Sequence, residues 1–484
     1  MSLILLLLVP GIASALIARS ENRSRAALIH VYASIAALIV GLDVVQRVYV
    51  TKAEISWNLL RADSLSAFMV AIITFIGAIT GIYAVGYVNA EFEDKHFRQV
   101  RLFYSLYQLF IFTMLLAVTT DNLGVMWVAI EGTTLATVFL VNLHDNHIGL
   151  EAAYKYLILS SVGIALAFMG TVFMYYAAVA QVSEIGLSWT SLIAIANRLD
   201  PTIVRLAFVF ILIGYGTKAG LAPMHTWLPD AHSEAPAPIS ALMSGVLLNV
   251  GLYALMRFKA VTDITVGPAF ASTWLMRFGL LSLALSAAFL VSQRNYKRML
   301  AYSSVEHTGI VALGLGFGGY WGILGALLHM VNHALSKSML FILSGSISLK
   351  YRTTDIRGVR GLLKTAPWTG YAFLCGILAL VGLPPFGPFI SEFIIFRAGF
   401  AADSTAYAVI GISLLAVVFA GMLASVNSML YGSPTEPWNA SDPVRLPLTP
   451  VALNIVLLLA LGLTLPDGVR EFLGGVLKIV GVSL

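Results

Sequence analysis

The sequence predicts an all-α polytopic membrane protein, and three observations carry this prediction. Hydrophobic residues make up 59% of the 484 residues and charged residues only 11%, whereas soluble proteins carry about 25% charged residues. The apolar residues form long runs, and a run of about 20 residues crosses a bilayer as a helix. Gly and Pro interrupt two of these runs, at 218–238 and 380–393. We therefore expect one integral membrane domain over residues 1–484.

The apolar runs predict about fourteen transmembrane helices. The first run resembles a signal peptide, but it lacks the basic segment that precedes such a peptide and is interpreted as a span. The closing segment, 467–484, has the spacing of an amphipathic helix on the membrane surface, although a short terminal helix would fit as well. The predicted spans are 2–17, 26–45, 65–88, 102–120, 122–143, 151–178, 202–221, 237–258, 274–292, 299–316, 321–347, 369–397, 405–430 and 449–466.

The net charge of +5 does not indicate a nucleic-acid partner. Its basic residues lie in short loops between apolar runs, as Arg294, Lys297 and Arg298 do, which is typical of membrane anchors. The odd-numbered loops hold 15 Lys and Arg residues and the other side holds 11. Since basic loops stay in the cytoplasm, both termini are predicted outside it.

Cysteine usage limits the redox chemistry that this chain can perform. The single Cys375 cannot supply an iron-sulfur site, a haem attachment motif or an internal disulfide. Electron transfer is therefore expected in another subunit, and no cofactor is expected here.

Two Gly-Leu-x-Pro motifs, at 220–223 and 382–385, lie in the seventh and twelfth predicted spans. The two motifs are thus five spans apart. Because five is odd, a five-helix unit repeated in tandem inserts into the membrane with the opposite orientation the second time. We therefore expect two inverted five-helix repeats, spans 4–8 at 102–258 and spans 9–13 at 274–430.

The prolines of these motifs predict a broken helix in each repeat. Pro223 has no N–H for the carbonyl of Ala219, and Pro384 and Pro385 have none for the residues before them. Unpaired backbone groups persist at membrane depth only where protein or water covers them. A single break would fit a tolerated kink. Two breaks at matching positions, each beside an ionisable residue, favour a functional site.

The ionisable residues in apolar runs are the strongest candidates for function, because a charge at the bilayer centre costs about 2.5–3.5 kcal/mol. Lys218 precedes the first break, Glu392 follows the second, and Glu131 lies near the middle of the fifth span. Glu131 needs a cation, for which Lys218 or Lys155 is a candidate. The alternatives are lysines that snorkel to the surface and a purely structural carboxylate.

A stripe of His329, His333 and Lys337 lies on the eleventh predicted span, and its spacing of four fits a proton relay. Zinc and haem b are alternatives, but no HExxH pattern accompanies the histidines. Glu306 and His307 are adjacent on the tenth span, so they point about 100° apart and should have different partners. One of the two could be structural.

Three segments together carry a family resemblance: TKAGLAPMHTWLPDAHSEAPAPISALMSG, AYSSVEHTGI and HALSKSMLFILSGSI. They resemble the antiporter-like proton-translocating membrane subunits of complex I, Mrp antiporters and membrane-bound hydrogenases, over roughly residues 60–430. The form SSVEHTGI is most similar to the F components of hydrogenase-4 and formate-hydrogenlyase-type complexes.

The resemblance implies a proton-translocating subunit in a bacterial or archaeal inner membrane. Its partners would be other membrane subunits of the same family and a peripheral redox module that carries iron-sulfur clusters and a Ni-Fe centre. By motif match, proton transfer falls to Glu131, Lys155, Lys218, Lys337 and Glu392, together with the histidine stripe.

One position departs from the family pattern. Asn249 stands where complex I homologues usually carry a central lysine or histidine, and an amide cannot hold a proton at neutral pH. Proton transfer at this position is expected to use ordered water, a histidine of the preceding segment (His225 or His232) or a different path, with Asp230 as an access residue.

The hypothesis is that the Glu131 and Lys218 pair opens and closes as neighbouring subunits change state, and so releases and takes up a proton. An Mrp-type sodium/proton antiporter subunit is the main alternative, since it shares the scaffold. A haem-carrying anchor and a passive scaffold are further alternatives, and Asn249 is the residue that most favours the scaffold.

Overall fold

The computed structural model describes residues 1–182, 186–434, 442 and 448–482. Arg445, one of the basic residues in the predicted odd-numbered loops, lies outside these ranges. Up to the first break the chain forms antiparallel helices and one hairpin, in which Ile55 pairs with Ala62. The elements are α1 Ser2–Ala18, α2 Arg23–Thr51, β1 Ile55–Trp57, β2 Leu60–Ala62, α3 Ser64–Glu91, α4 Phe97–Thr119, α5 Leu123–Val141, α6 His147–Val179, α7 Trp189–Ala194 and α8 Pro201–Ala219.

After the first break, all regular secondary-structure elements of the described residues are helices. They are α9 Trp227–Glu234, α10 Ala237–Leu242, a π-helical turn Met243–Leu247, α11 Leu248–Val266, α12 Pro268–Leu290, α13 Tyr296–Phe317, α14 Gly319–Tyr351, α15 Leu362–Thr365, α16 Pro367–Leu380, α17 Gly387–Ala401, α18 Thr405–Tyr431, α19 Thr449–Leu463 and α20 Asp467–Ile479.

Many of these helices begin at a short polar residue whose side chain accepts a backbone N–H of the first turn, which satisfies a donor that the helix leaves unpaired. Such caps include Asn22, Asp63, Asn122, Asn146, Asp200 and Asn295. The polar loops of the sequence therefore mark the helix starts.

The all-α polytopic class is confirmed. Among the described residues, ten helices are long and apolar enough to cross a membrane, or eleven if the pair α19 and α20, bent by 81°, forms one span. The predicted amphipathic helix at the end of the chain is also present as α20, which buries Leu473, Val476 and Leu477.

Both predicted helix breaks are confirmed. α8 ends at Ala219 and α9 begins at Trp227, while α16 ends at Leu380 and α17 begins at Gly387. The first residue of each Gly-Leu-x-Pro motif has a positive φ, 74° at Gly220 and 69° at Gly382, a conformation that glycine adopts without steric cost. At the first break, the indole nitrogen of Trp227 donates to the Thr217 carbonyl at 2.9 Å.

The centre of the bundle consists of α11 and α14. Every residue from Leu248 to Thr262 of α11 is buried, and α14 packs against α3, α10, α13, α16, α17 and α19. The polar residues in the middle of these two helices, among them Asn249 and His333, are therefore enclosed by protein.

The two ends of the bundle are distinct. Met1 and α20 lie at the same end, here called the terminal face, where Lys52 pairs with Glu471 at 2.7 Å. The other end, here called the opposite face, holds the start of α6 and the end of α14, where Arg352 lies 3.9 Å from Glu91. Successive long helices run in alternate directions between the two faces.

Candidate functional site

Glu131 and Lys218 lie on α5 and α8 and are joined through a hydroxyl. The Lys218 Nζ donates to Thr134 Oγ1 at 2.5 Å, and Thr134 Oγ1 donates to Glu131 Oε2 at 3.1 Å. Ser161 of α6 donates to the other carboxylate oxygen at 2.7 Å. The expected partnership is thus present, but a threonine mediates it.

Lys218 is fully buried, so the alternative that it snorkels to the surface is wrong. Its ammonium lies 5.3 Å from the centroid of the Tyr156 ring, a distance at which the ring face attracts a cation. The groups that stabilise its charge are therefore one carboxylate, one hydroxyl and one aromatic face.

Lys155 does not approach Glu131, so that proposed pairing is wrong. It lies in the early turns of α6 at the opposite face, where it contacts Glu151 at 2.6 Å and Asp230 at 3.2 Å and remains 47% exposed. Arg298 also contacts Asp230, at 2.7 Å. Lys155 and Asp230 therefore belong to a charged cluster at the surface, as a snorkelling lysine would.

Lys337 of α14 is a second buried lysine, in the second half of the chain. It is fully buried, and its ammonium donates to the Leu300 carbonyl at 2.7 Å and to Ser303 Oγ at 2.5 Å. Glu306, one turn further along α13, interacts electrostatically with Lys337. A lysine and an acid thus lie close together in both halves.

The histidine stripe makes its contacts across helices. His307 Nδ1 of α13 lies 2.8 Å from His329 Nε2 of α14, and the centroid of the His307 ring lies 5.3 Å from that of His333. Glu306 and His307 therefore have different partners, as predicted. His329 and His333 are therefore connected through His307 of α13, which contacts both rings.

Ser391 of α17 sets the orientation of His329. Its hydroxyl donates to the Pro388 carbonyl at 2.9 Å and accepts the side-chain amide of Asn332 at 3.1 Å. The Ser391 hydroxyl lies 3.0 Å from His329 Nδ1 and can accept its N–H, since its own proton has the Pro388 carbonyl as acceptor. The His307–His329 hydrogen bond can run in either direction, according to which ring nitrogen of each histidine carries the proton.

Glu392 lies directly after Ser391, on the first turns of α17. Its carboxylate fills the space where a side chain on Gly382 would project, and it interacts electrostatically with Glu306. Glu392 is half-buried, and the neighbouring Pro384 and Pro385 are exposed. The second break therefore leads from the surface to this carboxylate.

Two residues of the first half reach α14. Asn249 donates its amide to the Met330 carbonyl at 3.3 Å and to the Gly245 carbonyl of the π-helical turn at 3.0 Å. The His232 ring of α9 stacks on Phe341 at 5.2 Å. Neither ring nitrogen of His232 has a partner in the described part of the chain, so this buried histidine is free to bind water.

His225 has a different neighbourhood from His232. Its ring lies 6.4 Å from that of Tyr302 on α13. Both histidines that the sequence offered in place of a central lysine therefore contact the second half, but among their ring contacts in the described structure only that of His232 is with α14, the helix that carries Lys337.

Sequence reasoning missed several residues of the site. Lys297 was interpreted as a loop anchor, and this is wrong, since it is buried and donates to the carbonyls of Ser233 and Ala235 at 2.8 and 2.7 Å. Ser161, Ser303 and Ser391 were also missed as partners. Nothing in the sequence indicated that Lys297 is buried. Ser303 and Ser391, in contrast, lie within one turn of the predicted site residues Glu306 and Glu392.

A second buried charge cluster closes the terminal end of α11. Arg257 donates to both oxygens of Asp63, at 2.6 and 2.7 Å, and to the hydroxyl of Tyr253 at 3.1 Å. Arg61 contacts Asp63 at 3.2 Å. Asn249, Tyr253 and Arg257 are spaced by four, so one stripe of α11 joins the centre of the bundle to this cluster.

A bundle with two broken helices and buried lysines, histidines and carboxylates between them defines an antiporter-like membrane subunit. The family described as NADH:quinone oxidoreductase/Mrp antiporter, TM, matches residues 120–419, and the chain belongs to this family. The family described as NADH-ubiquinone oxidoreductase (complex I), chain 5 N-terminus, matches residues 48–99.

Three similar proteins illustrate the relationship. The chain is 40% identical over 414 residues to a hydrogenase-4 component F homolog of Methylacidiphilum infernorum, covering 85% of this chain and 86% of that protein. It is 27% identical over 474 residues to a Na(+)/H(+) antiporter subunit of Alkalihalophilus pseudofirmus, covering 96% and 93%. A chain of the membrane-bound sulfane sulfur reductase, an archaeal respiratory membrane complex, shares the fold with a TM-score of 0.90 at 22% identity, covering 99% and 98%.

Proposed function

We propose that this chain moves protons across a bacterial or archaeal inner membrane as part of a redox-driven complex. The observation that carries the proposal is the bridged pair of Lys218 and Glu131. A fully buried lysine whose counter-charge is one hydroxyl away gains or loses a proton when that separation changes, because Coulomb interactions are strong at low dielectric.

The route that we propose has three stages. A proton enters beside Asp230 and Lys155 at the opposite face and reaches Lys218 and Glu131. It crosses by water at His232 and Asn249 to His333 and Lys337. It then passes Glu306, His307 and His329 to Glu392, and leaves by the second break.

The proposal includes fourteen spans arranged as two inverted five-helix repeats. Fourteen arises when α1, α13 and α19 are added to the ten long apolar helices and α16 and α17 are counted as one broken span. In support of inversion, α8 starts at the terminal face and α16 starts at the opposite face. With the positive-inside rule, the terminal face lies outside the cytoplasm.

The surface around Glu131 supports a second membrane subunit as the partner. Glu131 is half-buried, and its neighbours Val128, Leu135, Ile158 and Val162 on α5 and α6 are exposed apolar residues. A carboxylate that faces lipid at mid-depth is costly, so another subunit is proposed to cover this face. Iron-sulfur clusters and a Ni-Fe centre are proposed in a peripheral partner.

Sodium transport is the second candidate, because Glu131, Thr134 and Ser161 supply the oxygen atoms that Na+ prefers. The ammonium of Lys218, however, already donates to Thr134. This ammonium occupies the position that a bound Na+ would take, which favours proton transport over sodium transport.

The test is acidification of inside-out membrane vesicles that contain the whole complex, with and without sodium, for wild type and Lys218→Met. Lys259→Met is the control, since Lys259 is a buried lysine that pairs with Asp263 near the terminal face, away from the route. Sodium-independent acidification that Lys218→Met alone abolishes, with redox turnover retained, supports the proposal. An unaffected Lys218→Met variant overturns it, and a strict sodium requirement favours the antiporter alternative.

A further inference from the structure

Three potential metal ligands from three helices converge in the second half of the chain. His307 of α13, His329 of α14 and Glu392 of α17 each offer one donor atom, and the three atoms lie within 4.8 Å of one another. The histidine spacing in α14 had suggested zinc through His329 and His333. The structure instead brings His329 to residues that are distant in the sequence.

The surroundings of these donors resemble those of a metal site. A metal-binding histidine usually donates its other ring N–H to a fixed acceptor, which orients the ring. His329 Nδ1 lies 3.0 Å from the hydroxyl of Ser391, which can accept that N–H and which Asn332 and the Pro388 carbonyl hold in place. The Asn332 Oδ1 is buried and has no partner within the described ranges, so a polar atom beside the cluster is still unsatisfied.

The donor types select the class of ion. Imidazole nitrogens suit zinc and similar first-row divalent ions, whereas Na+, Mg2+ and Ca2+ prefer oxygen alone. Two histidines, one carboxylate and an open fourth position form a familiar zinc ligand set. We propose that His307, His329 and Glu392 bind a divalent transition-metal ion of the zinc class.

The geometry requires only small movements. Zn–N bonds of about 2.0–2.1 Å in a tetrahedron place the two nitrogens roughly 3.3 Å apart, compared with 2.8 Å between His307 Nδ1 and His329 Nε2 here. The ring that donates in this hydrogen bond moves its proton to its own other nitrogen when the ion binds, which is Nε2 of His307, beside the Leu380 carbonyl, or Nδ1 of His329, beside Ser391. An ion reaches the site past the half-buried Glu392 and the exposed Pro384 and Pro385.

A bound ion would use the same lone pairs that pass protons between His307 and His329. Zinc should therefore inhibit proton movement through this chain, and this consequence, unlike the binding itself, rests on the proposed function.

The binding test uses the purified full-length chain in detergent, titrated with Co2+ and then with competing Zn2+, and follows the visible absorption of tetrahedral Co2+. His329→Gln and Glu392→Gln should each weaken binding by at least about tenfold, and Ser391→Ala, which removes no ligand, by about tenfold. His147→Gln, which alters an exposed histidine at the start of α6, is the control and should bind as wild type does. Absence of the Co2+ absorption in wild type, or equal binding by wild type and all three variants, overturns the site. Only variants that elute as wild type does in size exclusion are compared.

The transport test uses vesicles that contain the whole complex. Zinc should inhibit acidification, a chelator should restore it, and Ser391→Ala should need about tenfold more zinc than wild type. Equal zinc sensitivity of wild type and Ser391→Ala, in chains that do differ in Co2+ binding, would retain the metal site and overturn its place on the proton route.

Discussion

Lys218 and Glu131 face each other across a single hydroxyl, that of Thr134, which donates to the carboxylate and accepts from the ammonium. A direct ion pair inside a membrane would be difficult to separate, because its Coulomb energy is large at low dielectric. The hydroxyl lowers that attraction while it keeps both charges hydrogen-bonded. The pair is thus held at a separation that small helix movements can change.

Thr134→Val should uncouple this pair. A hydrogen bond to a charged group contributes about 1.5–3 kcal/mol, so we expect acidification by the complex to fall by roughly tenfold or more while redox turnover continues. Thr133→Val is the matched control, since Thr133 donates only to the Ile130 carbonyl of its own helix. Equal loss of transport in the two variants would contradict the role of the bridge.

Asn249→Leu should interrupt the crossing between the two halves, because leucine can neither bind water nor donate to the Met330 carbonyl. We expect at least a tenfold loss of proton transport in vesicles. Gln108→Leu is the control: Gln108 is also a buried amide, but it lies on α4 and bonds to His30 and Ser34, away from the route. If Asn249→Leu transports normally, protons pass by His232 without this amide.

Gly382→Ala should displace Glu392. Alanine at a positive φ costs about 1–2 kcal/mol, and its methyl group would also meet the Glu392 carboxylate. Gly319→Ala separates the two effects, since Gly319 has φ 60° and nothing within 4 Å of an added methyl group. We expect both variants to lose stability in thermal unfolding, and Gly382→Ala alone to lose proton transport. Normal transport by Gly382→Ala would show that Glu392 tolerates displacement.

Asp63→Asn should destabilise the terminal end of α11. Breaking one partner of a buried ion pair costs about 3–5 kcal/mol, measured here as the free energy of unfolding of the full-length chain in detergent. Asp467→Asn is the control, since Asp467 is 99% exposed and lies 3.8 Å from Arg470; its cost should be about 0–1 kcal/mol. An equal loss in the free energy of unfolding for the two variants would show that water reaches the Asp63 cluster.

The same cluster predicts a pH dependence of stability. Burial by itself would raise the pKa of the Asp63 carboxyl, but the charges of Arg257 and Arg61 outweigh it and hold the pKa at about 2. The unfolded value is about 3.9, so the stabilisation is complete above about pH 4 and is lost as the pH falls towards 2. Wild type should lose stability in this interval more steeply than Asp63→Asn.

The sequence predicted those parts of the site that depend on local chemistry. The breaks follow from Pro223 and Pro384, which cannot donate a backbone hydrogen bond, and Lys218 and Glu131 are conspicuous in apolar runs because burying a charge is costly. Their roles in proton transfer stay predictions, as do those of Lys337 and Glu392.

Other features could not be predicted because they depend on how distant helices pack. His307 meets His329 across 22 residues, and Arg257 meets Asp63 across 194. Lys297 looked like any loop lysine, and only the position of α9 shows that its ammonium is enclosed. Lys155 was a candidate cation for Glu131 beside Lys218 for the same reason, since the position of a residue along a helix does not give its depth in the bundle.

The hydrogen bond from Trp227 to the Thr217 carbonyl has a mechanical consequence. It spans the first break and ends one residue before Lys218, so it ties the first turn of α9 to the last turn of α8. Asp230 lies on α9, and Lys218 lies on that last turn of α8. A displacement of α9 at the surface is therefore expected to move the buried ammonium of Lys218 with it.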